Sequence, residues 1–252
     1  MDATESTSGG SRKSTYARDH TFNRIPSRPF LWFARSVVFK TPLLKKAVID
    51  LFENIFYDSA KSTWDNMSWR GVPCQKYPTD LWVYQEIIFR NRPDTIIETG
   101  TAYGGSALYM ASLMDLAGHG RVISVDIRER GARPVHPRIT YILGSSTSDE
   151  VIEKLSSMLE SSEKRMVVLD SDHRKSHVDE ELRVYSRLVT VGQYLIVEDS
   201  SVNGHPISAQ FGEGPYESVE SFLRENKGFS VDKSMEKFLL SSNHNGFLLR
   251  VQ

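Results

Sequence analysis

The sequence predicts an α/β protein: a doubly wound Rossmann-like sheet, mostly parallel, with an antiparallel C-terminal edge and a helical N-terminal extension. Three observations carry that expectation. Met166-Val167-Val168-Leu169 and Tyr194-Leu195-Ile196-Val197 are short, apolar, partly β-branched runs between polar turns, the mark of strands covered on both faces. Between such runs lie segments of helical length, so strand and helix alternate from about residue 80 to about residue 200. Two acidic clusters, Asp170-Ser171-Asp172-His173 and Glu198-Asp199, directly follow two of the strands. Open α/β sheets bind ligands at that end.

In chain order, residues 1–20 are rich in Ser, Thr, Gly and charge and are expected to form a flexible tail. Residues 21–78 are expected to be a helical extension. Val37, Val38, Leu44, Val48, Leu51, Phe52, Ile55 and Phe56 recur there at spacings of three to four, as in an amphipathic helix that needs something to pack on. A lid or an oligomerisation element fits, which makes a homo-oligomer the expectation. Residues 79–252 are expected to be the main domain. Its predicted helices are 80–91, 106–116, 149–159, 175–188 and 216–226, and its predicted strands 95–98, 121–126, 139–143, 166–170 and 193–198. Two last strands, 229–232 and 247–251, lie close enough to pair as an antiparallel edge, and the loop 200–215 holds the Gly and Pro of a lid.

Net charge is −1, from 31 basic and 32 acidic side chains, so no bulk attraction to nucleic acid is implied. The single cysteine, Cys74, fits a reducing compartment. No apolar run approaches the roughly 20 residues of a membrane span, and the first residues lack an apolar signal core. A cytoplasmic protein with a small-molecule partner is the expectation.

Four carboxylates and an imidazole converging beyond two neighbouring strands repel unless a cation sits among them, and Mg²⁺ is the simplest candidate. The pair His173 and His177 also permits an imidazole site for a softer metal, although the carboxylates favour the harder ion. Earlier in the chain, the first strand runs into Glu98-Thr99-Gly100-Thr101-Ala102-Tyr103-Gly104-Gly105-Ser106. Glycines at such a turn let the backbone approach a ligand, and the helix start offers free N–H groups. Asp126 ends the next strand and can accept ribose hydroxyls. A dinucleotide or S-adenosylmethionine fits this frame; Gly100-x-Ala102-x-x-Gly105 only approximates the dinucleotide fingerprint. Ser106 can bond a cofactor carboxylate or cap its helix, and Tyr103 can flank the cofactor or pack.

Trp69-Arg70-Gly71, Glu98–Ser106, Leu169–His173, Ile196–Asp199 and Gly246–Arg250 together resemble the cephalosporin hydroxylase and rhamnosyl O-methyltransferase family, over roughly seven-tenths of the chain. Its members are class I S-adenosylmethionine-dependent enzymes, and the acid-x-Gly-x-x-x-Gly pattern of Glu98, Gly100 and Gly104 looks like their first motif. The resemblance implies that Glu98, Gly100, Tyr103, Gly104, Ser106, Asp126, Ser145, Ser146 and Asp170 lie along the cofactor. It implies Mg²⁺ on Asp170, Glu198 and Asp199, with Asp172 a neighbouring acid or substitute ligand. Catechol-type methyltransferases place a lysine base three residues past the first metal acid, and His173 stands there in this chain. The acceptor implied is a sugar or natural product bearing several hydroxyls; Trp64, His205, Gln210 and Tyr216 are candidate acceptor contacts. A hydroxylase or other oxidoreductase, or a non-catalytic cofactor-binding partner, are the alternatives.

Overall fold

The computed structural model describes residues 29–252; the tail expected over 1–20 lies outside them. The chain falls into two units, the first extending to Lys45 and the second running from Lys46 to Gln252. In the first, α1 (Pro29–Lys40) leaves Phe33 and Phe39 exposed. The helix α2 (Pro42–Asp58) lies mostly in the second, where Leu51, Phe52 and Ile55 face solvent.

The second unit continues with a two-strand hairpin, β1 (Ser68–Trp69) and β2 (Val72–Pro73), then α3 (Pro78–Asn91). The hairpin was not foreseen within the helical extension. Pro78 at the first helical position needs no N–H there, and α3 stops at Arg92, left-handed at φ 47°, just before Pro93. There follow β3 (Thr95–Thr99), α4 (Gly105–Ala117), β4 (Arg121–Asp126), β5 (Ile139–Leu143), α5 (Asp149–Ser157), β6 (Arg165–Leu169), α6 (Lys175–Tyr185), β7 (Tyr194–Val197), α7 (Pro215–Glu225), β8 (Phe229–Val231) and β9 (Phe247–Arg250). The sheet order is β5-β4-β3-β6-β7-β9-β8, with β9 antiparallel to both neighbours and the other pairs parallel. The doubly wound sheet and its antiparallel edge are thus as the sequence predicts. Helices α5 and α6 end earlier than periodicity implies, at Ser157 and Tyr185.

Alternation along the strands sends side chains to opposite faces. Ile96, Val122, Val168 and Ile196 meet Ile87 of α3 and Met110 of α4. Ile97, Ile123, Val167 and Leu195 meet Val151, Leu182 and Val219 of α5, α6 and α7. Each such side chain contributes about 1.5–3 kcal/mol on burial, so the central strands are held firmly in register. In that register Thr99 pairs with Leu169, and Leu169 with Val197. Gly100, Asp170 and Glu198 therefore leave the sheet at one level.

A buried ion-pair network ties α2 to the loop before β9. His244 Nε2 lies 3.0 Å from Glu53 and Nδ1 3.5 Å from Glu236, with Glu53 wholly buried. Burial opposes charge on His244, but the two carboxylates outweigh it and push its pKa from 6.5 to about 9. A folded pKa above the ordinary value means the stabilisation is complete below about 6.5 and is lost as pH rises through about 9. Glu53, whose pKa is raised chiefly by burial, also favours lower pH. Between pH 7 and 9.5 the protein should lose on the order of 1 kcal/mol, about 2–4 °C in Tm. A His244→Gln variant whose Tm falls as steeply over that range would refute the assignment.

Candidate active site

A cavity of about 810 Å³ opens where the strands end. Its walls are the Gly100–Tyr103 turn after β3, Asp126 at the end of β4, Ser145 and Ser146 after β5, the Asp170–Arg174 stretch after β6, and Asp199 after β7. Residues 73–76 and Trp64, assigned from sequence to the N-terminal extension, complete it together with Phe211.

The Gly100 turn is possible only for glycine. Its φ is +88°, and a Cβ there would lie 1.7 Å from the carbonyl oxygen of Asp170. This close approach seats the cofactor-type turn directly against the acidic cluster. Asp126 is aimed by backbone donors: its Oδ2 accepts the Ala102 N–H at 2.8 Å and Oδ1 the Arg128 N–H at 2.9 Å. Ser106 Oγ donates to Glu98 and has no capping bond, so the capping alternative is not the one adopted. Glu98, fully buried within β3, also accepts from Ser124 Oγ at 2.6 Å, and burial pushes its pKa up to about 7. It supports the turn from beneath and does not line the cavity. Gly104 does not line it either, since it sits against Pro134 and Tyr141.

On the acidic side, Asp170, His173 and Asp199 each offer one donor atom within 4.8 Å of the others. His173 Nδ1 lies 2.9 Å from Asp199 Oδ2, and Nε2 3.5 Å from Asp170 Oδ1. Burial alone would discharge the imidazole, but Asp199 and Asp170 outweigh it and raise its pKa well above the usual value. Burial likewise works against charge on Asp170, yet Lys76 and His173 hold its carboxyl below the usual range.

Glu198 is placed differently from Asp199. It is 3 % exposed, outside the cavity lining, and its Oε1 accepts from Lys76 Nζ at 2.7 Å and from the Tyr84 hydroxyl. Burial raises its pKa to about 7. Both bonds fall on Oε1, and Glu198 is not among the donors that converge with Asp170, His173 and Asp199. Asp172 is paired with Arg174 at 3.0 Å, and this holds its pKa down at about 2. His177 is not in the donor cluster; its Nε2 faces Ser171 at 3.0 Å, Ser146 at 3.3 Å and Glu181 at 3.4 Å. The two-imidazole arrangement is therefore not formed.

Among the candidate acceptor contacts, Trp64 lines the cavity. His205 and Tyr216 stack on each other, with centroids 3.7 Å apart, and line a separate cavity of about 360 Å³; Gln210 lines neither. Sequence reasoning passed over Lys76, Tyr84 and Asn243. Asn243 Oδ1 accepts the Asp199 N–H at 3.2 Å, supporting that residue in a left-handed turn with φ 54°.

With this geometry in place, comparison with known proteins is decisive. The model of the family described as rhamnosyl O-methyltransferase/CmcI matches residues 61–251. The chain belongs to that family. It is 39 % identical over 193 residues to the rhamnosyl O-methyltransferase of Mycobacterium leprae (strain TN), covering 74 % of this chain and 84 % of the relative. The protein of the same name from Mycobacterium bovis (strain BCG / Pasteur 1173P2) is 36 % identical over 211 residues, covering 81 % and 85 %. Among solved structures, CmcI-N160 in its apo form superposes with a TM-score of 0.58 at 24 % identity, covering 75 % of this chain and 77 % of the other. The CmcI-D160 structure with Mg and SAM gives 0.57 at 23 %, covering 75 % and 78 %. At these identities the structural likeness is one of fold. The chain is an O-methyltransferase, and the oxidoreductase and non-catalytic readings fall away. Among the described residues no helix is long and apolar enough to cross a membrane.

Proposed function

We propose that this O-methyltransferase moves a methyl group from S-adenosylmethionine to a hydroxyl of a small polyhydroxylated acceptor, a sugar or natural product. Mg²⁺ is held by Asp170, Glu198 and Asp199, and His173 is the general base. One observation carries this reading: the Asp170, His173 and Asp199 donors sit in the same cavity as the Gly100 turn and Asp126. The donors are chemically suited to the ion, since the two half-buried carboxylates of Asp170 and Asp199 offer the hard oxygens Mg²⁺ prefers. The cofactor frame fits equally, with a carboxylate pre-aimed by two backbone N–H groups beside a turn that has no side chain at Gly100. The acceptor class also draws on the rhamnosyl O-methyltransferase name of the relatives.

When bound, S-adenosylmethionine supplies an electrophilic methyl group and Mg²⁺ an electrostatic sink for the acceptor oxygen. The chain's own residues do the rest. Asp126 and the Gly100–Tyr103 backbone orient the donor. Trp64 and Phe211 give two aromatic walls on which an acceptor ring can pack. Asp199 keeps a proton on His173 Nδ1 and fixes the ring, so Nε2 is the atom that takes the hydroxyl proton. Asp170 and Asp199 favour charge on His173; a cation held by those carboxylates would weaken that pull and would leave the imidazole able to act as a base.

The test is transfer of labelled methyl from S-adenosylmethionine to a rhamnosyl glycoside. Product should form with Mg²⁺, vanish with EDTA and return on adding excess Mg²⁺. Transfer undiminished by the chelator would remove the metal from the scheme, and absence of S-adenosylmethionine binding would remove the donor.

A further inference from the structure

Lys76 is a long cation fixed in a place where long cations are seldom found. Its side chain is 2 % exposed, in the loop between β2 and α3 that closes the cavity. Its ammonium lies 2.7 Å from Asp170 Oδ2 and 2.7 Å from Glu198 Oε1. The Tyr84 hydroxyl, itself wholly buried on α3, donates to the same Oε1. The division of atoms is consistent across the cluster. Lys76 holds one oxygen of each carboxylate, Oδ2 of Asp170 and Oε1 of Glu198, while Asp170 Oδ1 is the atom facing His173.

A carboxylate with one oxygen bound to a buried ammonium can offer an ion only the other. Hard divalent cations differ in how they tolerate that restriction. Mg²⁺ demands a compact octahedron and accepts single oxygens, whereas Ca²⁺ takes six to eight ligands and readily uses both oxygens of a carboxylate. We propose that Lys76, backed by Tyr84, is the specificity-determining residue of the acidic centre: by holding one oxygen each of Asp170 and Glu198, it enforces single-oxygen ligation and selects Mg²⁺ over Ca²⁺. The inference rests on the metal reading above and adds to it the residue that chooses the ion. Lys76 acts through the two carboxylates and is a positioning residue. Its neighbours in the chain make the arrangement rigid. Asp80, one turn before Tyr84 on α3, accepts from Ser241 Oγ at 2.7 Å and from the Ser242 N–H at 2.8 Å. That anchors the loop whose Asn243 holds the Asp199 N–H.

Calorimetric titration of the purified full chain with MgCl₂ and, separately, CaCl₂ tests this, comparing wild type with Lys76→Met and Tyr84→Phe. The readout is the ratio of the two affinities. Loss of a positive charge strengthens binding of any divalent ion alike, and that common effect cancels in the ratio. The wild type should prefer Mg²⁺. Lys76→Met should shift the ratio toward Ca²⁺ by about 10- to 100-fold, the usual weight of a residue that orients a metal ligand. Tyr84→Phe should shift it in the same direction by less, and it keeps the test open if Lys76→Met fails to fold. Mg²⁺ and Ca²⁺ both binding, with a ratio unmoved in the folded variants, overturns the role of Lys76 alone. A wild type that binds neither ion overturns the metal reading, and this inference with it.

Discussion

Gly100→Ala is expected to unfold the junction between the two halves of the cavity. The new Cβ would sit 1.7 Å from the Asp170 carbonyl oxygen and 2.5 Å from its carbon, both backbone atoms, at a φ of +88°. No rotamer change relieves a clash with backbone, so β3 and β6 must separate at their tips or the turn must flip. Either movement also displaces Asp170, whose N–H bonds the Thr99 carbonyl at 3.0 Å. A loss of at least about 3 kcal/mol follows, on the order of 6–12 °C in Tm for a chain of this size. S-adenosylmethionine binding should fall with it. Gly118→Ala is the control, since Gly118 shares the left-handed backbone (φ +74°) but has nothing within 4 Å of an added Cβ. It should cost only the conformational penalty, about 1–2 kcal/mol. Equal Tm values for the two variants would show that the contact with Asp170 does not matter.

The same junction shows which parts of the site are legible in a sequence. Strand ends are, because the apolar runs 166–169 and 194–197 fix where β6 and β7 stop and parallel register then sets Asp170 beside Glu198. His173 and Asp199 follow within a few residues, so local chain geometry brings them along. Side-chain direction is less legible. Glu198 and Asp199 follow the end of β7 in a turn, and it is Asp199 that lines the cavity while Glu198 bonds to Lys76 and Tyr84. Glu98 fails as a cavity residue for a related reason: it precedes the last residue of β3 and is enclosed by the sheet. Lys76, Tyr84 and Asn243 reach the acids from distant positions in the chain, and no local pattern marks them. A lone lysine between Gln75 and Tyr77 carries no periodic or charge signal; only the tertiary fold makes it a buried counter-ion. The roof of the cavity was hidden likewise, because residues 64–76 read as part of an extension until the hairpin folds them back over α4. Gly105 records that contact: a Cβ there would lie 2.1 Å from the Pro73 carbonyl oxygen.

His173→Ala and Asp199→Ala are each expected to lower kcat by about 10²–10⁴-fold, the range set by removal of a positioned acid–base group. For His173 the loss should appear in kcat with little change in S-adenosylmethionine affinity, because the imidazole pairs with Asp170 and Asp199 and the proposed role is proton transfer. Asp199→Ala removes the partner that orients Nδ1 at 2.9 Å, and on the proposed metal reading it should in addition weaken Mg²⁺ binding. The double variant is the sharper test. If Asp199 works partly by orienting His173, the two losses overlap, and the pair should be far less damaged than the product of the single effects. If the losses multiply, the residues act separately and His173 needs a different orienting group, for which Asp170 Oδ1 at 3.5 Å is the neighbour in reach. His173→Lys distinguishes proton transfer from ring packing. A lysine in the place that catechol-type enzymes give it should restore part of the rate and move the pH optimum upward, whereas a ring needed only for packing would not be replaced by a flexible amine.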